Sequence, residues 1–280
     1  MELTLAAVAA GRDIVIEGPP GTSKTTMLKA IAEEWGIPLV FVEGNADLTP
    51  AKLIGHHNPA RVLREDYSRD NFVAGPLLEA MQQGGFLYIE EFNRAPEDTL
   101  NTLLTAMADR SISVPRVGTI TAAPTFRVIA SMNPYDNVGT TRLSTSVTDR
   151  LNRLSVDYQD GPSEERIVTL RATVSGSLQE RMAVDAVALT RATRAHTDVR
   201  QGSSVRGAID TVLIAAQLCD LRGLEEPDDF RYPDVMYDAI VVALSGRIHL
   251  DESIESTPEI VLRDIWNDYF VTLSAAAEPG

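Results

Sequence analysis

The chain is short of several things, and each shortage closes a line of interpretation. It holds one cysteine in 280 residues, Cys219, so neither an internal disulfide nor a cysteine-ligated metal cluster can form. The apolar surroundings of that thiol, TVLIAAQLCD, place it on a buried helix face. No apolar run approaches the roughly 20 residues needed to cross a bilayer. The opening stretch MELTLAAVAA carries Glu2 and no basic cluster, which argues against a secretory leader and for a cytoplasmic protein. Positive charge is scarce as well. The formal net charge is −15, and Lys24, Lys29 and Lys52 are the only lysines. A nucleic-acid surface needs a basic face, and no basic run supplies one, so nucleic acid is not an expected partner. Of the four histidines, His56 and His57 are adjacent and would not share a helix face. They read as a loop rather than a metal pair. His196 and His249 lack partners at metal-ligand spacing, and no structural metal is expected.

What is present is a 44% hydrophobic chain, enough for one sizeable core or a large domain with a small one. Its first half alternates apolar strand-like runs with helical patterns, the signature of a mostly parallel sheet flanked by helices. DIVIE (13–17), PLVFVE (38–43), FLYIE (86–90), FRVIASM (126–132) and RLSVDY (153–158) read as strands. Helices are expected from Thr25 to Trp35, Pro76 to Gln83 and Pro96 to Asp109. In the last of these, Leu100, Leu103, Leu104 and Met107 make one face and Pro96 suits the first turn. After Gly161-Pro162 only helical patterns follow, at about 163–173, 178–197, 203–221, 233–245 and 258–270. The expected organisation is an α/β domain over 1–160 and a smaller all-helical domain over 161–280.

Between the first strand and the first helix stands GPPGTSKTT, Gly18-Pro19-Pro20-Gly21-Thr22-Ser23-Lys24-Thr25-Thr26. It fits G-x-x-x-x-G-K-[ST] except that Ser23 replaces the second glycine. In such a loop, successive backbone N–H groups cradle phosphate oxygens and the helix N-terminus adds a favourable dipole. Lys24 would reach the β- and γ-phosphates, and Thr25 would ligate Mg²⁺. The third strand ends in Glu90-Glu91. The first carboxylate suits the Mg²⁺ shell and the second suits orienting an attacking water. Either feature alone is commonplace: a glycine turn, or a solvated acidic turn. One helix-strand unit apart, they describe the two halves of a hydrolytic nucleotide site. Asn133 closes the fourth strand and is either an Asn-Pro turn former or a neutral hydrogen-bond partner for water or phosphate. Arg150 and Arg153 flank the entry to the fifth strand, where a guanidinium could stabilise a transferring phosphoryl group or make a surface ion pair. GSSVRG (202–207) opens a helix capped by Ser203 or Ser204 and offers Arg206 as a further phosphate contact.

This ordered set resembles the AAA+ ATPases, and more narrowly their MoxR family, closely over about residues 5–160 and more loosely beyond. EGPPGTSKT is similar to that family's Walker A loop, where a small residue commonly precedes the lysine. LYIEEFNRAPEDTLNTLLTAM is similar to its Walker B strand and following helix, and ADLTPAKLIGH…FVAGPLLEAM to its helix-2 insert. SISVPRVGTITAAPTFRVIASMNP resembles its pre-sensor hairpin and sensor 1 asparagine, STSVTDRLNR its arginine-finger segment and GSSVRG its sensor 2. The resemblance implies an ATPase that remodels, matures or activates a partner complex. It assigns ATP and Mg²⁺ to residues 18–26, Mg²⁺ to Thr25 and Glu90, water activation to Glu91 and sensing to Asn133. Arg150 becomes the finger acting on a neighbour, and Arg206 the lid contact. It also implies a ring, commonly a hexamer, and a partner with a von Willebrand factor A domain. Two departures accompany it. Glu90 stands where the family usually has aspartate, and the family's further N-terminal segment, which helps enclose the adenine, is expected to be lacking. These motivate an alternative, a nucleotide-gated scaffold with little or no hydrolysis. A small-molecule kinase sharing the loop would need an acceptor constellation that the second half does not offer.

Overall fold

In the computed structural model, which describes residues 1–65, 67–133, 143–251 and 253–271, the apolar runs of the first half become strands as their pattern dictates. They are β1 (Ile14–Glu17), β2 (Leu39–Glu43), β3 (Gly55–His57), β4 (Phe72–Ala74), β5 (Phe86–Glu90), β6 (Ser111–Val114), β7 (Gly118–Thr121), β8 (Arg127–Met132) and β9 (Asn152–Ser155). Five of these form one sheet in the order β2-β5-β8-β1-β9, with every neighbouring pair parallel. The central strands are buried almost throughout, whereas β2 and β9 at the edges are largely open. That is why the central strands read as continuous apolar runs rather than as alternation.

Helices α1 (Glu2–Ala9), α2 (Lys24–Glu34), α3 (Pro50–Ile54), α4 (Pro59–Glu65), α5 (Pro76–Gln83), α6 (Glu97–Asp109) and α7 (Thr145–Arg150) complete this unit. Strand alternation sends Ile14, Ile16, Phe86, Tyr88 and Ile129 to a core shared with Leu28 and Ile31 of α2. Val15, Leu87, Ile89, Val128 and Ala130 go to a second core, shared with Leu77 and Met81 of α5 and Leu100 and Leu103 of α6. Helix α6 begins after Pro96 with Glu97 and Asp98 in its first turn, where carboxylates complement the helix dipole. Helix α5 takes Pro76 in its first turn and stops at Gly84, whose φ of 68° a side chain would resist.

The register decides where chemistry can occur. Glu17 lies beside Met132 and Ser155, and Glu43 beside Glu90, so all five strands end on one edge. In open α/β sheets ligands bind outside that carboxyl edge.

His56 and His57 correct the expectation of a loop. They lie in β3, paired antiparallel with β4. The His57 ring packs edge-on against Tyr67 and Phe72, and its Nδ1 is 2.9 Å from Asn71 Oδ1.

The chain divides into two units, Met1–Asp157 and a second beginning at Tyr158. The second holds α8 (Gly161–Arg171), α9 (Ser177–Ala195), α10 (Val205–Arg222), α11 (Tyr232–Leu244) and α12 (Pro258–Trp266) around its own core of Met182, Leu189, Val212, Met236, Ile240 and Leu262. It is helical as expected, with one addition. Strands β10 (Val199–Gln201) and β11 (His249–Leu250) make a two-stranded antiparallel ladder. Runs of two and three residues carry no legible alternation. Among the described residues no helix is long and apolar enough to cross a membrane.

Candidate active site

The carboxyl edge of the sheet gathers the first-half candidates. Residues 18–23 link β1 to α2. A Cβ on Gly18 would lie 2.2 Å from the Val156 carbonyl oxygen, so only glycine lets the loop leave the sheet at that point. Gly21 has φ 77° and Ser23 φ 61°. Ser23, the position where the general motif has glycine, is therefore in the left-handed region, and it opens α2 as its N-cap. The loop keeps the glycine geometry with a serine in it. Lys24 folds back over the loop. Its Nζ donates to the Gly18 and Pro19 carbonyls, both at 2.9 Å, and lies 3.3 Å from Thr22 Oγ1. The ammonium is thereby held against the backbone of the loop.

Thr25, in the first turn of α2, faces the end of β5. Its hydroxyl donates to Glu90 Oε1 at 2.8 Å and lies 3.1 Å from Tyr88 Oη. Tyr88 Oη is in turn 2.9 Å from Ser131 Oγ on β8. Burial pushes the pKa of the Tyr88 phenol above its ordinary value, and the neighbouring Glu90 charge adds to that, so the group stays a protonated donor. Thr25 and Glu90 present a hydroxyl and a carboxylate side by side. Such an all-oxygen pair fits a small hard cation such as Mg²⁺.

Glu91 leaves the strand at φ 53° and ψ 43° and opens a short 3₁₀ turn. Left-handed backbone at a glutamate is strained, and here it turns the chain at the strand end. The carboxylate pairs with Arg94 at 3.1 Å, and both groups are partly exposed. Gly44, directly after β2, donates its N–H to the Glu90 carbonyl at 2.7 Å. A Cβ on it would lie 2.4 Å from the Glu91 carbonyl oxygen. Asn133 follows β8, half-buried at the same edge. Gly44, Tyr88, Ser131 and Arg94 are the residues that motif reading missed. Their signal is position alone: each stands within about four residues of the carboxyl end of a sheet strand.

The two arginines of the 144–153 segment part company. Arg153 Nε is 2.5 Å from Glu17 Oε2, an ion pair within the unit that ties β9 to the residue before the phosphate loop. Arg150 is exposed and donates to Ser146 O, one turn back in α7, at 3.1 Å. It lines a polar cavity of about 400 Å³ with Arg12, Asp13, Arg110, Asp149 and Asn152. That cavity is at the amino edge of the sheet, since Asn152 pairs with Ile14, the first residue of β1. Burial holds the Asp13 carboxyl above its usual range, against the pull of the Val128 N–H and of Arg110.

In the second unit, Ser204 is the N-cap of α10 and Arg206 is exposed in its first turn. The start of α10 is fixed from beneath. Glu164, 1% exposed, lies 3.1 Å from Arg191 and 2.8 Å from Arg194. Arg194 donates from Nε to Ser203 O at 2.6 Å and stacks on Tyr158 at 3.8 Å.

Comparison with known proteins bears on the family and the fold. The family model of the AAA domain, dynein-related subfamily, matches residues 13–151. The chain is 28% identical to the gas vesicle ATPase GvpN of Ancylobacter aquaticus over 250 residues, covering 82% of this chain and 67% of the relative. It is also 28% identical to the gas vesicle ATPase GvpN2 of Halobacterium salinarum over 279 residues, covering 94% and 76%. Among solved structures, NtrX from Brucella abortus in complex with ADP superposes with a TM-score of 0.57 at 22% identity, over 96% of this chain and 59% of that one. That likeness is one of fold. With a phosphate loop, a paired-carboxylate strand end and these relatives, the chain is an AAA+ ATPase of the MoxR type.

Proposed function

We propose that the chain uses ATP hydrolysis to remodel or activate a partner protein complex, working as a ring of identical copies. The observation that carries this reading is the separation of Lys24, Thr25, Glu90 and Glu91, at the carboxyl edge of the sheet, from the exposed Arg150 at the amino edge. An arginine so placed cannot serve the nucleotide of its own copy, but it suits the nucleotide of a neighbour. Residues 1–160 are then the nucleotide-binding domain and 161–280 the lid.

In this scheme the backbone of residues 18–23 binds the phosphates and Lys24 exchanges its loop carbonyls for β- and γ-phosphate oxygens. Thr26, the next residue of α2, adds to the phosphate cradle. Thr25 and Glu90 hold Mg²⁺, which would neutralise charge on the phosphates. Glu91 orients the attacking water and draws its proton. Asn133 holds that water or the γ-phosphate by a neutral hydrogen bond. Arg150 of a neighbour stabilises the transferring group, and Arg206 reports the loss of phosphate to the lid. The protein works in the cytoplasm, the ring is a hexamer, and the partner carries a von Willebrand factor A domain. The relatives named as gas vesicle ATPases support the ATP-driven part of this reading.

The test is steady-state turnover against protein concentration. Specific activity should rise as copies associate, and Arg150→Ala should lower it on the order of 10³-fold. Mixing Arg150→Ala with Glu91→Gln should restore part of the activity, because each supplies what the other lacks. Wild-type turnover in Arg150→Ala, or a mixture as inactive as its parts, would rule out a shared site. The glutamate at position 90 favours a second reading, a nucleotide-gated scaffold. Tight ATP binding with no phosphate release at any concentration, with partner present, would establish it instead.

A further inference from the structure

The hydroxyls of Thr25, Tyr88 and Ser131 and the carboxylate of Glu90 form one continuous chain: Ser131 Oγ to Tyr88 Oη 2.9 Å, Tyr88 Oη to Thr25 Oγ1 3.1 Å, Thr25 Oγ1 to Glu90 Oε1 2.8 Å. A hydroxyl has one proton to donate, and an ionised carboxylate has none. Glu90 therefore accepts from Thr25. Thr25, its proton spent, can only accept from Tyr88, and Tyr88 can only accept from Ser131. One proton order satisfies all three distances, and it runs from β8 through β5 to the phosphate-loop helix.

We propose that Tyr88 is a positioning residue for the nucleotide-bound cation. By donating to Thr25 it fixes the threonine rotor, pins the threonine proton on Glu90 and leaves the remaining Thr25 lone pair directed into the site. The inference rests on the reading of Thr25 and Glu90 as the Mg²⁺ pair and adds a residue that touches neither cation nor nucleotide. Tyr88 is fully buried, as is Ser131 at 1% exposure, so no water competes for the phenol. A buried tyrosine also needs a partner for its hydroxyl when it could have been phenylalanine, and here both partners belong to the site. The chain further links Thr25 to β8, two residues before Asn133. A change at the γ-phosphate side can thus reach the cation ligand through two hydrogen bonds.

The experiment is a titration of a fluorescent ATP analogue onto the full chain, across Mg²⁺ concentrations and in chelator, for wild type, Tyr88→Phe, Ser131→Ala and Thr25→Ala. Tyr88→Phe keeps the ring and removes one atom. Its Mg²⁺ midpoint should rise about fivefold, the equilibrium worth of one ordinary hydrogen bond, while analogue affinity in chelator stays at the wild-type value. Ser131→Ala should shift the midpoint in the same direction by less, which keeps the proposal testable if Tyr88→Phe folds poorly. A wild-type Mg²⁺ midpoint in both variants overturns the proposal, and so does an equal loss of affinity with and without Mg²⁺. Thr25→Ala separates the two levels. If it leaves the Mg²⁺ dependence intact, the Mg²⁺ pair itself is misassigned. If it abolishes the dependence while Tyr88→Phe does not move it, only the role of Tyr88 fails.

Discussion

Ser23 sits at φ 61° where the phosphate loop becomes a helix, a backbone region in which a side chain costs about 1–2 kcal/mol. Replacing it with glycine removes that strain but adds unfolded-state entropy of about 0.5–1 kcal/mol. Ser23→Gly should therefore be neutral to about 1 kcal/mol more stable, with ATP binding retained, whereas Ser23→Val should lose stability and binding together. Chemical denaturation and nucleotide titration check both. Gly44 is the converse case. Its N–H holds the Glu90 carbonyl, and a Cβ would press on the turn that carries Glu91. Gly44→Ala should lower turnover by at least about tenfold, since small displacements of a reacting group are expensive, and should also lower the denaturation midpoint, because the new Cβ meets backbone that must shift. The motif letters announced Glu90 and Glu91. The strained φ of Glu91 and the close approach of Gly44 depend on a neighbouring strand that is distant in sequence, and no local pattern encodes them.

The sheet strands and the longer helices are legible because burial imposes a period on them, whereas α1, α3, α4 and α7, at five to eight residues, carry no clear pattern. β1, β5, β8 and α6 lie within a residue or two of where their apolar patterns place them. The β3–β4 and β10–β11 ladders were not legible, because strands of two or three residues are set by tertiary contacts. Polar ties between helices were equally hidden. In the second unit Asp185, 7% exposed, accepts from Tyr232 at 2.8 Å and from Tyr269 at 2.7 Å. Burial first, and the Asp185 charge with it, raises the Tyr232 phenol far above its usual range. Asp185→Ala should cost about 2–4 kcal/mol by orphaning two phenols, and Asp185→Asn, which keeps an acceptor, should cost less. Urea denaturation of the two variants measures the difference.

A neighbouring element gives a pH signature. Hydrogen bonds from Arg231 pull the Asp229 carboxyl down to about 2, and Arg231 also donates to the Arg222 and Gly223 carbonyls at the end of α10. The unfolded carboxyl titrates near 4, so the unfolded chain binds more protons in that interval. The stabilisation is fully present above about pH 4 and is lost as pH falls through about 2. The melting temperature of Asp229→Asn should lie below wild type at pH 5 and converge with it near pH 2. Parallel melting curves over that range would show that the pair contributes nothing.

At the scale of the molecule, one fold puts Lys24, Thr25, Glu90 and Glu91 at the carboxyl edge of the sheet and the exposed Arg150 at its amino edge. The order of motifs made the fold class and the ATPase readable before any geometry was known. The hydroxyl chain behind Thr25 required the register of two strands, β5 and β8, and the placement of α2 against them. The central claim is that this carboxyl edge hydrolyses ATP with Glu91 acting on the water. Its most direct test is ATP binding and phosphate release measured side by side in wild type and Glu91→Gln. The account predicts wild-type affinity in the variant and hydrolysis slowed by about 10²-fold or more. Phosphate release at the wild-type rate from Glu91→Gln would contradict it.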